Sequence, residues 1–349
     1  MYVENSQDSQ LAVLIPTKNR LKFLEKTLYM YSYFGFNGKV FIGDSSTDYN
    51  YKIISKQLRS NKVNFEFISC RNNNPSAALY KIAKIAQSEK YKYSVYHGDD
   101  DFLLKGGIIK LIQFLEVQPR YDSARGTGYI INLQQNKNFQ SKSQPTGVYN
   151  YWNEISFEDE LPIDRVINVA KNYCNLQFSI TRTSAFINSL SNNNSYLSEQ
   201  FNEYHESLHL ALSGKIKYLK HDYLIRLTHN LFGGNSLTSR EKFDTSSLGG
   251  LVNLVIFSGD PILLKKSIID KVGKSHDKYV TNLILKIITN IIESKFTHKS
   301  VSNKIKGKLR LFIPVSALRA TKIRHFSKYA NIKFFNHWEL RRFLNKFEI

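Results

Sequence analysis

Two cysteines, Cys70 and Cys174, are all that the 349 residues contain. They are too few for a disulfide framework and lack metal-ligand spacing, so a reducing, cytoplasmic compartment is expected. No run of about 18–20 uninterrupted apolar residues occurs, and no membrane-spanning helix is expected. The start from Met1 to Gln10 is polar and acidic, unlike a signal peptide. G-x-G-x-x-G and P-loop patterns are both missing, which argues against dinucleotide-dependent redox chemistry and phosphate-loop hydrolysis. Acidic residues are scarce: 29 Asp/Glu stand against 49 Lys/Arg, a net charge of +20. The imbalance is uneven, because residues 261–349 hold 20 Lys/Arg and 5 Asp/Glu, a net of +15. That end of the chain is expected to meet an anionic partner, or simply to present a solvated basic surface. Nothing resembles a zinc finger or an RNA-recognition signature, so no nucleic-acid partner is expected.

What is present is apolar enough, at 42%, for a sizeable core. Leu11-Ala12-Val13-Leu14-Ile15 is a continuous apolar run of strand length, closed by Pro16. Such a run suits a strand buried on both faces of a parallel sheet. Leu21, Leu24, Leu28 and Tyr31 then recur at helical spacing, ended by Gly35 and Gly38. Lys39–Gly43 and Asn64–Ile68 read as further strands, and Ser76 is expected to cap a helix carrying Ala78, Ile82 and Ile85. Strand, loop and helix repeated in this way predict an α/β fold with an open, mostly parallel sheet. Ligands collect at the carboxyl ends of such strands. The polar clusters Pro16–Arg20, Asp44–Asp48 and Asp99–Asp101 all follow predicted strands and should line one edge.

The third cluster carries the most chemistry. Tyr93-Ser94-Val95-Tyr96 predicts a strand that runs through His97-Gly98 into Asp99-Asp100-Asp101. Three adjacent carboxylates repel one another and are costly to bury unpaired. They suit the exposed carboxyl end of a strand, where a divalent cation neutralises them through hard oxygen ligands. A helix cap would need one carboxylate, not three.

These motifs, in this order, resemble family 2-type glycosyltransferases of GT-A fold. Leu14-Ile15-Pro16-Thr17-Lys18-Asn19-Arg20 is similar to their opening hydrophobic-I-P-T-x-N-R, and Ile42-Gly43-Asp44-Ser45-Ser46-Thr47-Asp48 to V-D-D-G-S-T-D, with Gly43 in place of the first Asp. Asn74–Ala78 resembles N-x-G-x-x-x-A without its Gly, and Gly98–Leu103 stands where the family carries D-x-D-D-x-L. The G-D-D-D variant resembles a bacterial subgroup acting in surface polysaccharide assembly. The resemblance implies that Pro16, Thr17, Arg20, Asp44 and Arg71 surround a nucleotide-sugar donor. It implies that Asp100 or Asp101 holds Mn2+ or Mg2+ while a neighbour, Asp99 or Asp100, holds the ribose or donor sugar.

A transferase also needs a base to take the proton of the attacking acceptor hydroxyl. Glu199–Ile216 is similar to the family's E-D-x-x-L…G-x-x-I, which aligns Glu203 with the usual base; Glu206, one turn on, competes. Glu203 reads as a first-turn residue of a helix ended by Gly214. Arg226 ends a strand-like run, and the resemblance implies, by position, that Arg226 holds the diphosphate and that His229 completes the metal shell. Tyr151 and Trp152 are expected either to stack on a sugar or to pack in the core.

From residue 261 the pattern becomes helical, with Val280, Leu283, Ile284, Ile287 and Ile288 in one apolar stripe. Amphipathic basic helices of this kind either lie on an anionic membrane, on the inner face of the cell membrane, or pack on the preceding domain. The expected organisation is a flexible 1–10, a GT-A domain over 11–240 (nucleotide-sugar half 11–120, acceptor half 121–240) and a basic helical region over 241–349. The expected activity is inverting, metal-dependent sugar transfer from a nucleotide sugar, UDP-linked, to a saccharide or lipid-linked acceptor in bacterial surface polysaccharide or lipopolysaccharide synthesis. A nucleotidyltransferase and a non-catalytic anion- or membrane-binding protein on a degenerate transferase fold are the alternatives.

Overall fold

A computed structural model describes residues 7–46, 62–71, 73–134, 144–190, 199–228 and 260–295. The chain opens with β1 (Leu11–Thr17), α1 (Leu21–Tyr33), β2 (Lys39–Asp44), β3 (Asn64–Ser69), α2 (Pro75–Ser88) and β4 (Tyr93–Tyr96). It continues through β5 (Phe102–Leu103), α3 (Lys105–Val117), β6 (Tyr121–Gln134), β7 (Gln144–Asn150), α4 (Pro162–Lys171), β8 (Ile180–Arg182) and α5 (Thr183–Leu190). Then come α6 (Glu199–Ser213), β9 (Lys215–Thr228), α7 (Asp260–Val272) and α8 (Asp277–Lys295).

The strands form one sheet in the order β3-β2-β1-β4-β8-β6-β9-β5, with β7 added on β6. The half built from β3, β2, β1 and β4 is parallel throughout. The other half mixes parallel β6–β9 with antiparallel pairs at β4–β8, β6–β8, β6–β7 and β5–β9.

The apolar run in β1 explains why this strand is central. Leu11, Val13 and Ile15 belong to the core on one face, while Ala12 and Leu14 belong to that on the other. A two-residue period with both faces covered leaves no polar side, and each Leu or Ile so buried contributes roughly 1.5–3 kcal/mol. Helices α1, α3, α4 and α6 cover one face, and α2 with α5 covers the other.

Two sequence expectations are adjusted, and one pair of alternatives is decided. The helix after β3 is capped by Asn74, whose side chain accepts from the Ala77 amide at 2.7 Å, with Pro75 at the first turn; Ser76 lies inside it. Pro is favoured there because it has no amide proton to leave unpaired. Residues 7–10, grouped with a flexible terminus, form a 3-10 turn in which buried Asp8 accepts from the Asn37 amide at 3.0 Å. The apolar stripe of α8 is buried in the same core as α4 and α6: Val280 and Ile287 are fully covered, as are Leu264 and Ile268 of α7. That stripe is therefore the packing face of the hairpin and does not face a bilayer. Among the described residues no helix is long and apolar enough to cross a membrane. The basic stretches 304–310 and 319–328 lie outside the described residues.

Candidate active site

Parallel register brings the polar clusters together. Thr17 stands opposite Asp44 at the ends of β1 and β2, and the Ser45 amide donates to the Thr17 carbonyl at 2.9 Å. Asp44 is buried and accepts from the Ser46 amide at 2.9 Å and from the Ser46 hydroxyl at 2.5 Å. Thr17, Arg20, Leu21, Leu24, Asp44, Ser46 and Phe67 line a depression at this edge. Pro16 pairs with Gly43 on the strand just before it, and Arg71 is exposed on the turn after β3. Gly43, where the family has a carboxylate, is explained by packing. A Cβ there would lie 3.1 Å from Ile82 and 3.4 Å from the Cys70 sulfur, so a longer side chain would press on α2 and on the turn after β3.

The Asp triplet follows β4 as a tight turn, closed by the Asp101 amide donating to the Gly98 carbonyl at 3.1 Å. It does not cap α3: the residue before that helix is Leu104, with no side-chain cap. The three carboxylates have separate partners. Asp99 Oδ2 accepts from the Thr17 hydroxyl at 2.5 Å, and its Oδ1 lies 2.8 Å from Arg20 Nε. The other arm of Arg20 pairs with Asp100. Asp101 accepts from the Gly98 amide at 3.2 Å and lies 3.4 Å from Arg226 Nε, delivered by β9.

The expectation of an exposed triplet is corrected, since Asp99 and Asp101 are buried and only Asp100 is partly open. Burial raises Asp99 to about 6, opposed by Arg20, and pushes Asp101 upward in the same sense, opposed by Arg226.

Around this turn lie residues that motif reasoning passed over. Thr27 of α1 donates to the Asp99 carbonyl at 2.6 Å. His97 is wholly buried; its Nδ1 donates to the Gly98 carbonyl at 2.6 Å, so Nε2 accepts from the Tyr31 hydroxyl at 2.5 Å. Burial holds this imidazole down to about 4, so it stays neutral and fixes the turn. A visible signal existed: Thr27 and Tyr31 fall one turn apart on α1.

Whether these carboxylates suit a divalent cation is tested by the space above Gly98. A Cβ at Gly98 would lie 3.0 Å from Asp100 Oδ1 and 3.1 Å from Asp101 Oδ2. Two hard oxygens therefore converge where a side chain is absent, which fits a cation completed by water or phosphate oxygens. Asp99, with both oxygens engaged, fits less well. Among the described residues no three His, Cys, Asp or Glu side chains form a ready-made cation shell, and His229 lies outside them.

Helix α6 brings the base candidates to the same side. Starting at Glu199, it puts Glu203 in the second turn rather than the first. Glu203 is half-buried, and with Asp101 it raises the Tyr151 phenol, which burial, the largest cause, pushes to about 12. Glu206 is almost fully buried. Tyr151 and Trp152 pack against each other and against Phe178, and the Trp152 indole donates to the Gly126 carbonyl at 2.9 Å. Trp152 is thus a core residue.

A parallel sheet half with carboxylates at its strand ends, continued by a mixed half carrying a cation and an acid, is the arrangement of GT-A glycosyltransferases. Residues 12–189 match the family model for glycosyl transferase family 2, and the chain belongs to that family. The structure is similar to residues 1–349 of TarS from S. aureus in complex with UDP-GlcNAc, with TM-score 0.53 and 15% identity over 81% of this chain and 74% of that one. It also matches the mannosyltransferase PcManGT from Pyrobaculum calidifontis in complex with GDP-Man and Mn2+, with TM-score 0.39 and 10% identity over 89% of this chain and 82% of that one. No curated protein matches the sequence. The protein is a glycosyltransferase.

Proposed function

We propose that the chain transfers a sugar, with inversion, from a UDP-linked donor to a saccharide or lipid-linked acceptor in bacterial surface polysaccharide or lipopolysaccharide synthesis. The observation that carries this is the meeting of Thr17, Arg20 and the Asp triplet at one sheet edge, with Arg226 and Glu203 arriving from the far half. The fold shared with TarS, bound in that structure to UDP-GlcNAc, supports a UDP-linked donor.

In this reading Asp44 and the Pro16–Thr17 backbone hold the nucleoside, and exposed Arg71 reaches the base or diphosphate. Asp99, fixed by Arg20 and Thr17, orients the ribose or donor sugar. Asp100 and Asp101 hold Mn2+ or Mg2+, which when bound supplies Lewis-acid neutralisation of the leaving diphosphate. Glu203 takes the proton of the acceptor hydroxyl as the acceptor's oxygen bonds to the anomeric carbon from the side opposite the departing nucleoside diphosphate. The carbon–oxygen bond to phosphate breaks in that step, and Arg226 meets the developing charge. Residues 11–240 carry the catalytic groups, α7 and α8 complete their core, and the basic stretches beyond residue 295 bring the enzyme to an anionic membrane surface.

The test is thermal stabilisation across a panel of nucleotide sugars, with Mn2+ or Mg2+ and with chelator. Stabilisation by one nucleotide class, lost on chelation, supports the reading. No stabilisation by any of them would sink it.

A further inference from the structure

The guanidinium of Arg226 is held from three directions yet keeps most of its hydrogen-bonding capacity unused. Nη1 donates to the Tyr151 hydroxyl at 2.7 Å, and Nε forms a looser ion pair with Asp101 at 3.4 Å. Its centre lies 4.8 Å from the Tyr151 ring and 4.7 Å from the Phe178 ring. Five N–H donors are thus served by one hydrogen bond among the described residues. The side chain remains 35% exposed, so the unused donors have a way to a ligand.

Tyr151 is the common partner. It supplies both the hydroxyl and one ring face, and its own ring is packed edge-on against Phe178, 5.9 Å between centroids. Because its oxygen accepts from Arg226, its O–H proton is left to donate, and it donates to none of the described residues. Asp101 on the triplet and Glu203 on α6 both act on that phenol, so Tyr151 is within electrostatic reach of a carboxylate from each half.

We propose that Tyr151 is a positioning residue: its hydroxyl and ring, with Phe178, lock Arg226 as a fixed cation beside Asp101. Arg226 then presents its unused N–H groups, and Tyr151 its O–H, to the diphosphate of the donor. This rests on the donor reading given above and deepens it. A planar guanidinium fixed in advance loses little freedom when it meets a phosphate, so the clamp acts on affinity. Asp101 keeps the cation from being buried without a counter-charge before the donor arrives.

A double-mutant cycle on the full chain tests this, with UDP and Mn2+ or Mg2+ as the probe and calorimetric Kd as the readout. Tyr151→Phe keeps the ring and removes the hydroxyl; it is expected to weaken UDP binding about 10- to 150-fold, the range for a hydrogen bond to a charged group. In an Arg226→Ala background the same change is expected to cost less than about 2-fold, because the contact it removes is already gone. Phe178→Leu, which removes the second ring face, is expected to weaken UDP in the wild-type background only. Thermal melts of each variant separate loss of the clamp from loss of the fold. Equal weakening by Tyr151→Phe in both backgrounds, or none in either, overturns the inference and leaves the donor reading standing. Wild-type protein that binds no UDP overturns the donor reading itself, and the inference with it.

Discussion

Arg20 joins two of the three clustered carboxylates: its Nε lies 2.8 Å from Asp99 while its terminal nitrogen pairs with Asp100. Arg20→Ala would leave Asp99 buried with only the Thr17 hydroxyl and Asp100 beside it. We expect a stability loss of about 1–3 kcal/mol, below the value for a fully buried pair because Arg20 is partly exposed. Arg20→Lys should recover charge but not the two-pronged geometry, and so only part of the stability. Chemical denaturation of the three proteins reads this directly. Equal stability would show the pairs to be incidental.

The carboxylates are expected to separate by function on substitution. Asp100→Asn and Asp101→Asn should abolish the part of UDP stabilisation that chelator removes from the wild type. Asp99→Asn should keep that cation-dependent part and act mainly on stability, since both Asp99 oxygens are engaged within the fold. Melting curves with UDP, with and without Mn2+ or Mg2+, distinguish the two patterns. A cation response lost only in Asp99→Asn would reverse the assignment.

Glu203→Gln removes the proposed proton acceptor at nearly constant size. The turnover number should fall about 100- to 10,000-fold while UDP affinity stays within a few-fold. Glu206→Gln, at a buried position one turn on, should instead lower the melting temperature. Turnover reduced by Glu206→Gln alone would transfer the role of base to that residue.

Acid should loosen the contact between α6 and α7. His205 and His209 stack on α6 with ring centroids 4.0 Å apart, and His209 Nε2 lies 3.2 Å from the Ser267 hydroxyl of α7. Burial holds them at about 2 and about 4, with mutual repulsion lowering His205 further and Lys271 lowering His209. Both values lie below the ordinary 6.5, so the unfolded chain binds more protons. The contribution is complete above pH 6.5 and is lost as pH falls towards 4. Replacing both with Gln should flatten the stability profile over that window in denaturant titrations. A profile unchanged by the double substitution would exclude the pair as its source.

The nucleotide half of the fold was readable in the sequence because its strands are buried on both faces. Leu11–Ile15 carries its burial as an unbroken apolar run, and the clusters after it could only fall on one edge. The far half was less legible for a physical reason. There, β6 and β9 are long, polar in places and interrupted by register shifts, so no two-residue alternation marks them. The hold of Arg226 on Asp101 depends on that non-local pairing, as does the place of Tyr151. His97 and Thr27 escaped notice because a buried polar residue announces itself only through its partners. The α8 stripe was legible as an apolar face; what it packs against was not.

The stretch matched by the family ends at residue 189, whereas Glu203 sits on α6, Arg226 on β9, and α7 and α8 close the core against α6 and α4. A fragment cut to the matching stretch would keep the donor-side carboxylates but lose the acid and the cation that face them. It would also lay bare the apolar surfaces of α4 that the later helices cover. Shortening the chain for expression therefore has to keep α7 and α8, and grafting the nucleotide half onto another scaffold would transfer a recognition surface without its chemistry.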